Sequence, residues 1–145
     1  MPQQDAITLL DDDHKKVEQL FQDYEKESDR GRKDHIARTI FAELMVHTQI
    51  EEEIYYPAFR QKAKDKEALE DAKHEHQEAK QLIRQMESGG VQDAKMKELK
   101  KLIEHHVSDE RETMFPESRQ AGMDLDELGK RLAQRKHELM EHQTV

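Results

Sequence analysis

The sequence predicts an all-α protein: an antiparallel up-down four-helix bundle with a short fifth helix at its C-terminal end. Three observations predict it. Apolar residues recur at helical spacing in five blocks, and no block alternates with period two over a useful length. Glycine and proline are scarce, five and three in 145 residues, which favours long helices over many short strands. The connections between the four long blocks are short, so chain neighbours should pack antiparallel. A single domain is expected over residues 1–145, with the bundle at about 4–118 and the last helix at about 124–141.

The first block carries Ile7, Leu10, Val17, Phe21 and Tyr24 and fades into SDRGRKD. The second carries Ile36, Ile40, Leu44 and Tyr55. The third carries Leu69, Ala72, Ala79, Ile83 and Met86 and stops at Ser88-Gly89-Gly90. The fourth carries Leu99, Ile103 and Met114. The fifth, with Leu125, Leu128, Leu132 and Leu139, opens on Asp124 and Glu127, which are spaced like a helix cap. Pro57 and Pro116 should kink or end the second and fourth helices.

Charge narrows the partners. Charged residues make up 39% of the chain and mean hydropathy is -1.13, so order depends on the apolar periodicity just described. A net charge of -9 with no basic cluster argues against nucleic acid. No segment approaches the roughly 20 apolar residues of a membrane span. The opening MPQQDAITLLDDD has neither the basic nor the long apolar region of a signal peptide. There are no cysteines, hence no disulfides and no thiolate ligands. A cytoplasmic protein, monomeric or weakly dimeric, is expected, with small ligands rather than nucleic acid or membrane as partners.

The apolar stripes have gaps, and histidine and glutamate fill them. His14 stands between Leu10 and Val17, and His76 between Ala72 and Ala79. His47, Glu51 and Tyr55 follow Leu44 on one face; His106, Glu110 and Met114 follow Ile103. Steps of three and four keep each set on one side of its helix. The stretches HTQIEEEIYYP and HVSDERETMFP also repeat each other, with His47, Glu51 and Pro57 matching His106, Glu110 and Pro116 at an offset of 59. Asp13-His14 matches Glu75-His76 at an offset of 62. The chain reads as two copies of a helix pair, each offering one His and then His-x-x-x-Glu.

Two buried carboxylates and four buried imidazoles are hard to satisfy with hydrogen bonds alone, and a buried charge is costly unless paired or coordinated. A metal pair resolves this. Imidazoles supply nitrogen donors, and carboxylates neutralise the ions and can bridge them. Six N/O ligands exceed a tetrahedral zinc site and suit two iron or manganese ions with open positions. The ferritin-like pattern needs a Glu three residues before the inward His; those positions hold Asp11, Leu44, Lys73 and Ile103. One histidine on an apolar face is more often an ordinary core residue, and one His-x-x-x-Glu an ordinary surface pair. Four such histidines in register with a repeat, two with the same Glu, outweigh that simpler reading.

The segments LLDDDHKKVEQLF, HTQIEEEIYYP, HEHQEAKQL, HHVSDERETMFP and DLDELGKRLAQRK resemble the hemerythrin-like family, the HHE cation-binding domain. That resemblance covers nearly the whole chain. It implies a four-helix bundle around a non-haem di-iron site, with His14, His47, Glu51, His76, His106 and Glu110 as ligands to two oxo- or hydroxo-bridged irons. The oxygen-carrying hemerythrins use a fifth His one turn along the third helix, where this chain has Ala72 and Lys80 on either side of His76. The set here resembles the H-HxxxE-H-HxxxE subgroup, found among bacterial hemerythrin-like proteins and in an iron-sensing domain of a ubiquitin ligase. The resemblance therefore implies a protein that binds oxygen, peroxide or nitric oxide, with decomposition of hydrogen peroxide as a possible activity. The alternative on the same site is an iron or oxygen sensor, or an iron buffer, without turnover.

Tyr55, one turn beyond Glu51, is the candidate phenol for an open site: a ligand, a hydrogen-bond donor or a quencher, or else a core aromatic. Tyr56 lies about 100° further round and is the weaker candidate. His105 is the histidine most at risk of being wrongly left out, since His105 to Glu110 reproduces the five-residue spacing of the oxygen carriers. Glu52 and Glu53 should be solvated or stand behind the ligands. Phe21, Phe59, Met45 and Met86 either line the pocket or only fill the core. His35, His137 and His142 read as surface residues, and His74, like His105, as a surface residue or one standing behind the ligands.

Overall fold

The structure is a computed structural model that describes residues 4–143, with side chains through Glu141. It is an all-α bundle, and among the described residues there is no strand. Its helical segments are, in chain order, α1 (Ala6–Lys26), α2 (Arg30–Ile50), α3 (Tyr56–Lys62), α4 (Lys66–Gly89), α5 (Asp93–Asp109), α6 (Phe115–Gln120) and α7 (Leu125–Gln143). α2 runs into α3 and α5 into α6 without a break, so the bundle has four rods, with α7 as the fifth helix.

Aspartates start the helices. Asp5, Asp29 and Asp65 accept from the amides of Thr8, Arg32 and Ala68 at 2.8, 2.9 and 2.9 Å. Asp124 accepts from the Glu127 amide at 3.1 Å, the cap expected for α7. Each such cap satisfies an amide that has no partner inside its helix and is worth about 1 kcal/mol. Gly90, with φ 96°, ends α4 in the left-handed region that favours glycine.

Neither internal proline ends its rod. Pro57 and Pro116 lie at the starts of α3 and α6, and helix continues past them to Lys62 and Gln120. Each is preceded by a π-helical turn, Glu51–Tyr55 in one rod and Glu110–Met114 in the other. The Tyr56 amide donates to the Glu51 carbonyl, and the Phe115 amide to the Glu110 carbonyl, five residues back instead of four. A proline inside an α-helix clashes with the carbonyl four residues back and leaves it without a donor. The widened turn absorbs that conflict, so the rod persists with one extra residue in it.

The core is divided. One apolar cluster gathers Leu10, Ile50, Tyr55, Tyr56, Phe59, Leu69, Met114, Phe115 and Leu132. The other gathers Val17, Phe21, Ile40, Leu44, Ile83, Met86, Leu99 and Ile103. His14, His47, Glu51, His76, His106 and Glu110 belong to neither cluster, yet all six are 0 to 4% exposed. α7 packs on α1 and α2 through Leu128 and Leu132, which are buried. Gly129 lets it come close: a Cβ there would fall on the carbonyl oxygen of Gln4 and the backbone of Asp5.

Candidate metal centre

The four rods bring the six sequence-selected residues together in two groups. His14, His47, Glu51 and Glu110 each offer an atom within 4.8 Å of the others, and so do Glu51, His76 and His106. Glu51 belongs to both. His14 Nε2 is 2.9 Å from Glu110 Oε1, and His47 Nε2 is 3.3 Å from Glu51 Oε1. In the second group His76 Nε2 lies 3.1 Å from both Glu51 Oε1 and His106 Nε2. His106 Nε2 lies 3.5 Å from Glu110 Oε1.

The outer nitrogen of every ring faces a carboxylate. Nδ1 of His14, His47, His76 and His106 stands 3.2, 3.1, 2.7 and 2.8 Å from Asp11, Asp13, Glu52 and Glu75. With a metal bound, those carboxylates would hold the proton on Nδ1 of a neutral imidazole and leave the Nε2 lone pair inward. The atoms that these six residues turn inward would then be nitrogen lone pairs and carboxylate oxygens, all acceptors. His14 Nε2, His47 Nε2, Glu51 Oε2 and Glu110 Oε1 are buried with no hydrogen-bond partner, although the first and last lie 2.9 Å apart. Close approach without hydrogen-bond geometry is how ligand atoms stand around a cation: donors about 2.1 Å from an ion and at right angles are about 3.0 Å apart. The residues present fit a metal site.

The same crowding shifts the acids and bases. Burial works against the charge of Glu51, but the cationic His47 and hydrogen bonds from its neighbours hold its carboxyl well below the usual range. Burial, and then the charge of Glu51, push Glu110 up. Burial works against protonation of His47, yet Glu51 and Asp13 raise it to about 10. His106 rises too, burial again opposing and Glu110 leading the attraction. With no metal to neutralise the carboxylates, protons take that place on His47 and His106, so metal and protons compete for the same atoms.

Behind the outer carboxylates stands a ring of partners. Arg111 donates to Asp11, Lys136 of α7 to Asp13, and Lys80 to Glu52 at 2.9 Å. Glu75 differs: its Oε2 is 3.2 Å from the ring of His105, and its carboxyl also shares a hydrogen bond with Asp109, which lies 3.3 Å from the same His105 nitrogen.

Tyr55 is not placed at the cluster. Its hydroxyl is 2.6 Å from Ser118 Oγ, in the apolar layer. Tyr56 holds the position instead: its hydroxyl is 3.0 Å from His76 Nε2, 3.3 Å from Glu51 Oε1 and 3.2 Å from Glu110 Oε2. The cause is the widened turn, since its extra residue shifts every later side chain by about 100°. Counting by fours along HTQIEEEIYYP therefore runs one residue short. Burial and the two glutamates raise the Tyr56 phenol well above its ordinary value, so it stays a proton donor. Its repeat counterpart is Phe115, whose ring stacks on His14 at 6.0 Å.

The other candidates lie outside the cluster. His105 is exposed and turned to Glu75 and Asp109. His35, His74 and His137 are exposed, and the His142 side chain lies outside the described residues. Glu52 stands behind His76, and Glu53 pairs with Arg135 of α7 at 2.8 Å. A cavity of about 20 Å³ touches all four imidazoles and is otherwise walled chiefly by Val17, Leu44, Ala79, Ile103 and Val107. Phe21, Phe59, Met45 and Met86 are not among its walls; the first, second and fourth fill the core, and Met45 packs half-buried at its edge. Sequence spacing does not reveal the roles of Asp13 and Glu75, because they serve His47 and His106 across to another helix, whereas Asp11 serves His14 from three residues before it on α1. The acid-His dipeptides in the repeat are the one signal for them.

A family model for the hemerythrin HHE cation binding domain matches residues 5–118. That span holds all six converging residues and Tyr56, and ends before α7. Neither the curated proteins nor the solved structures contain a match.

Proposed function

The chain belongs to the hemerythrin HHE cation-binding domain family, and from that premise we propose that it is a non-haem di-iron protein that binds oxygen, peroxide or nitric oxide and decomposes hydrogen peroxide. His14, His47, His76 and His106 would hold the ions together with Glu51 and Glu110, the carboxylates that stand between the two histidine pairs. The observation that carries the reading is Glu51, whose carboxylate belongs to both groups of converging atoms. Two adjacent irons supply a two-electron couple, which suits peroxide chemistry without a stranded radical.

The chain's own residues set the terms of that chemistry. Asp11, Asp13, Glu52 and Glu75 fix the imidazole tautomers, and the cations behind three of them keep those carboxylates ionised. The two apolar clusters exclude bulk water on either side, which strengthens every charge interaction between them. Tyr56 is the hydroxyl donor inside, 3.2 Å from Glu110 Oε2. It donates a hydrogen bond to a small ligand seated among the glutamates and can pass it a proton. The cavity of about 20 Å³ beside the imidazoles suits a diatomic or peroxide-sized guest and excludes a larger substrate.

A second reading keeps the site and drops turnover: an iron or oxygen sensor, or an iron buffer. The enclosure of the cluster favours it, because glutamates that are 0% exposed hold an ion well and release products slowly. One experiment tests both. Protein from iron-supplemented cells is assayed for metal content, visible absorption and loss of added hydrogen peroxide. Two irons per chain with an oxo-bridge band and steady peroxide loss are the expected result. Two irons with no loss leave the sensor or buffer, and a folded protein that takes no iron refutes both.

A further inference from the structure

The four outer carboxylates are not treated alike. Asp11, Asp13 and Glu52 each face a permanent cation, from Arg111, Lys136 and Lys80. Glu75, the repeat counterpart of Asp13, has no lysine or arginine on it among the described residues. Its Oε1 accepts from His106 Nδ1 at 2.8 Å, and its Oε2 points outward to His105 Nε2 at 3.2 Å. The same His105 nitrogen is 3.3 Å from Asp109 Oδ2. Two carboxylates and one imidazole thus converge where the first copy of the repeat places an ammonium group.

We propose that Glu75, His105 and Asp109 form a third, solvent-facing site for a divalent transition-metal ion, separate from the buried pair. The donor atoms all lie within 4.8 Å of one another, one nitrogen and two oxygens. The spacings of 3.2 and 3.3 Å are near the roughly 3.0 Å expected for adjacent ligands on one ion. His105 and Asp109 are one helical turn apart on α5, and Glu75 comes from α4, so an ion would tie the two helices together. The side chains of His105 and Asp109 are 68% and 46% exposed, which leaves positions for water and a path from solvent. Imidazole with carboxylate suits zinc, cobalt, manganese or ferrous iron. The ion would do for Glu75 what Lys136 does for Asp13, neutralising the outer oxygen of a carboxylate that orients a buried imidazole.

Zinc tests the site. Iron-loaded protein is stripped of loose metal by brief chelation, its iron is counted, and zinc is titrated in by calorimetry with dialysis to count bound ions. The wild type should take one more zinc per chain than either His105→Ala or Asp109→Asn, with iron content and helical signal the same in all three. Equal zinc binding by the variants and the wild type would overturn the proposal, as would a wild type that takes no zinc. The iron count, made beforehand, reports on the buried pair by itself. A failed di-iron reading would show there, and the one-ion difference between wild type and variants would still decide the outer site.

Discussion

The Tyr56 hydroxyl lies 3.0 Å from His76 Nε2, while that of its chain neighbour Tyr55 is committed to Ser118 Oγ at 2.6 Å. Two adjacent phenols therefore do unrelated work. Tyr56→Phe should keep its iron but change the visible spectrum and slow peroxide loss about tenfold or more, the scale of a lost proton donor. Tyr55→Phe should leave both alone and cost about 1 kcal/mol of stability, a single buried hydrogen bond. Parallel spectra and peroxide assays on the two variants check this, and the reverse pattern would return the open-site role to Tyr55.

Glu51 is common to both groups of ligand atoms, so its loss should be felt by both ions. Glu51→Ala is expected to retain less than half of the wild-type iron. Elemental analysis of protein purified from iron-supplemented cells measures it. A variant that still holds two irons per chain would remove Glu51 from the ligand set.

Much of the fold and of the centre is legible in the sequence for a physical reason. α1, α2, α4 and α5 are plain α-helix up to the π-helical turns that open at Glu51 and Glu110, and counting by threes and fours places side chains correctly as far as those glutamates. The count fails at the π-helical turns because nothing in EEEIY or ERETM announces an extra residue. Pro57 and Pro116 hint at trouble in the helix but not at its form. Apart from Asp11, which meets His14 within α1, the outer carboxylates pair between helices, and the contacts of Asp13 with His47 and Glu75 with His106 exist only once the bundle is assembled. Gly129 reads as a weak point in a helix until α7 is seen pressed against Gln4 and Asp5.

Metal-free protein should lose stability as the medium turns alkaline. His47 faces Asp13 and His14 of α1 and Glu51 of its own rod, with Lys136 of α7 behind Asp13. Its folded pKa, raised to about 10, exceeds the unfolded value of about 6.5. The stabilisation is full below about pH 6.5 and is lost as pH rises through about 10. Urea midpoints of the metal-free protein should fall between about pH 7 and 10, and iron loading should flatten the decline, because metal then holds the nitrogen that the proton held. A level profile without metal would show that His47 is neutral in the folded chain.

Gly129→Ala should loosen α7. The added methyl meets backbone that cannot yield as a side chain would. Overpacking of this kind costs about 1–3 kcal/mol. Thermal unfolding should register it as a lower midpoint, and no change would mean that α7 slides along α1 to make room.

The π-helical turns give two stretches of the chain an unusual intolerance to changes in length. A residue deleted from a loop is often absorbed, and one deleted from an ordinary helix merely rotates the residues beyond it. Removing one residue from Glu51–Tyr55 would restore regular α-helix, which is the more comfortable backbone. Local order would survive, and even improve, but Tyr56 would swing by about 100° away from His76 and the rest of the rod would lose its register with the bundle. The same holds for Glu110–Met114 and the stacking of Phe115 on His14. These ten positions are where a well-formed helix and a working centre require different chain lengths.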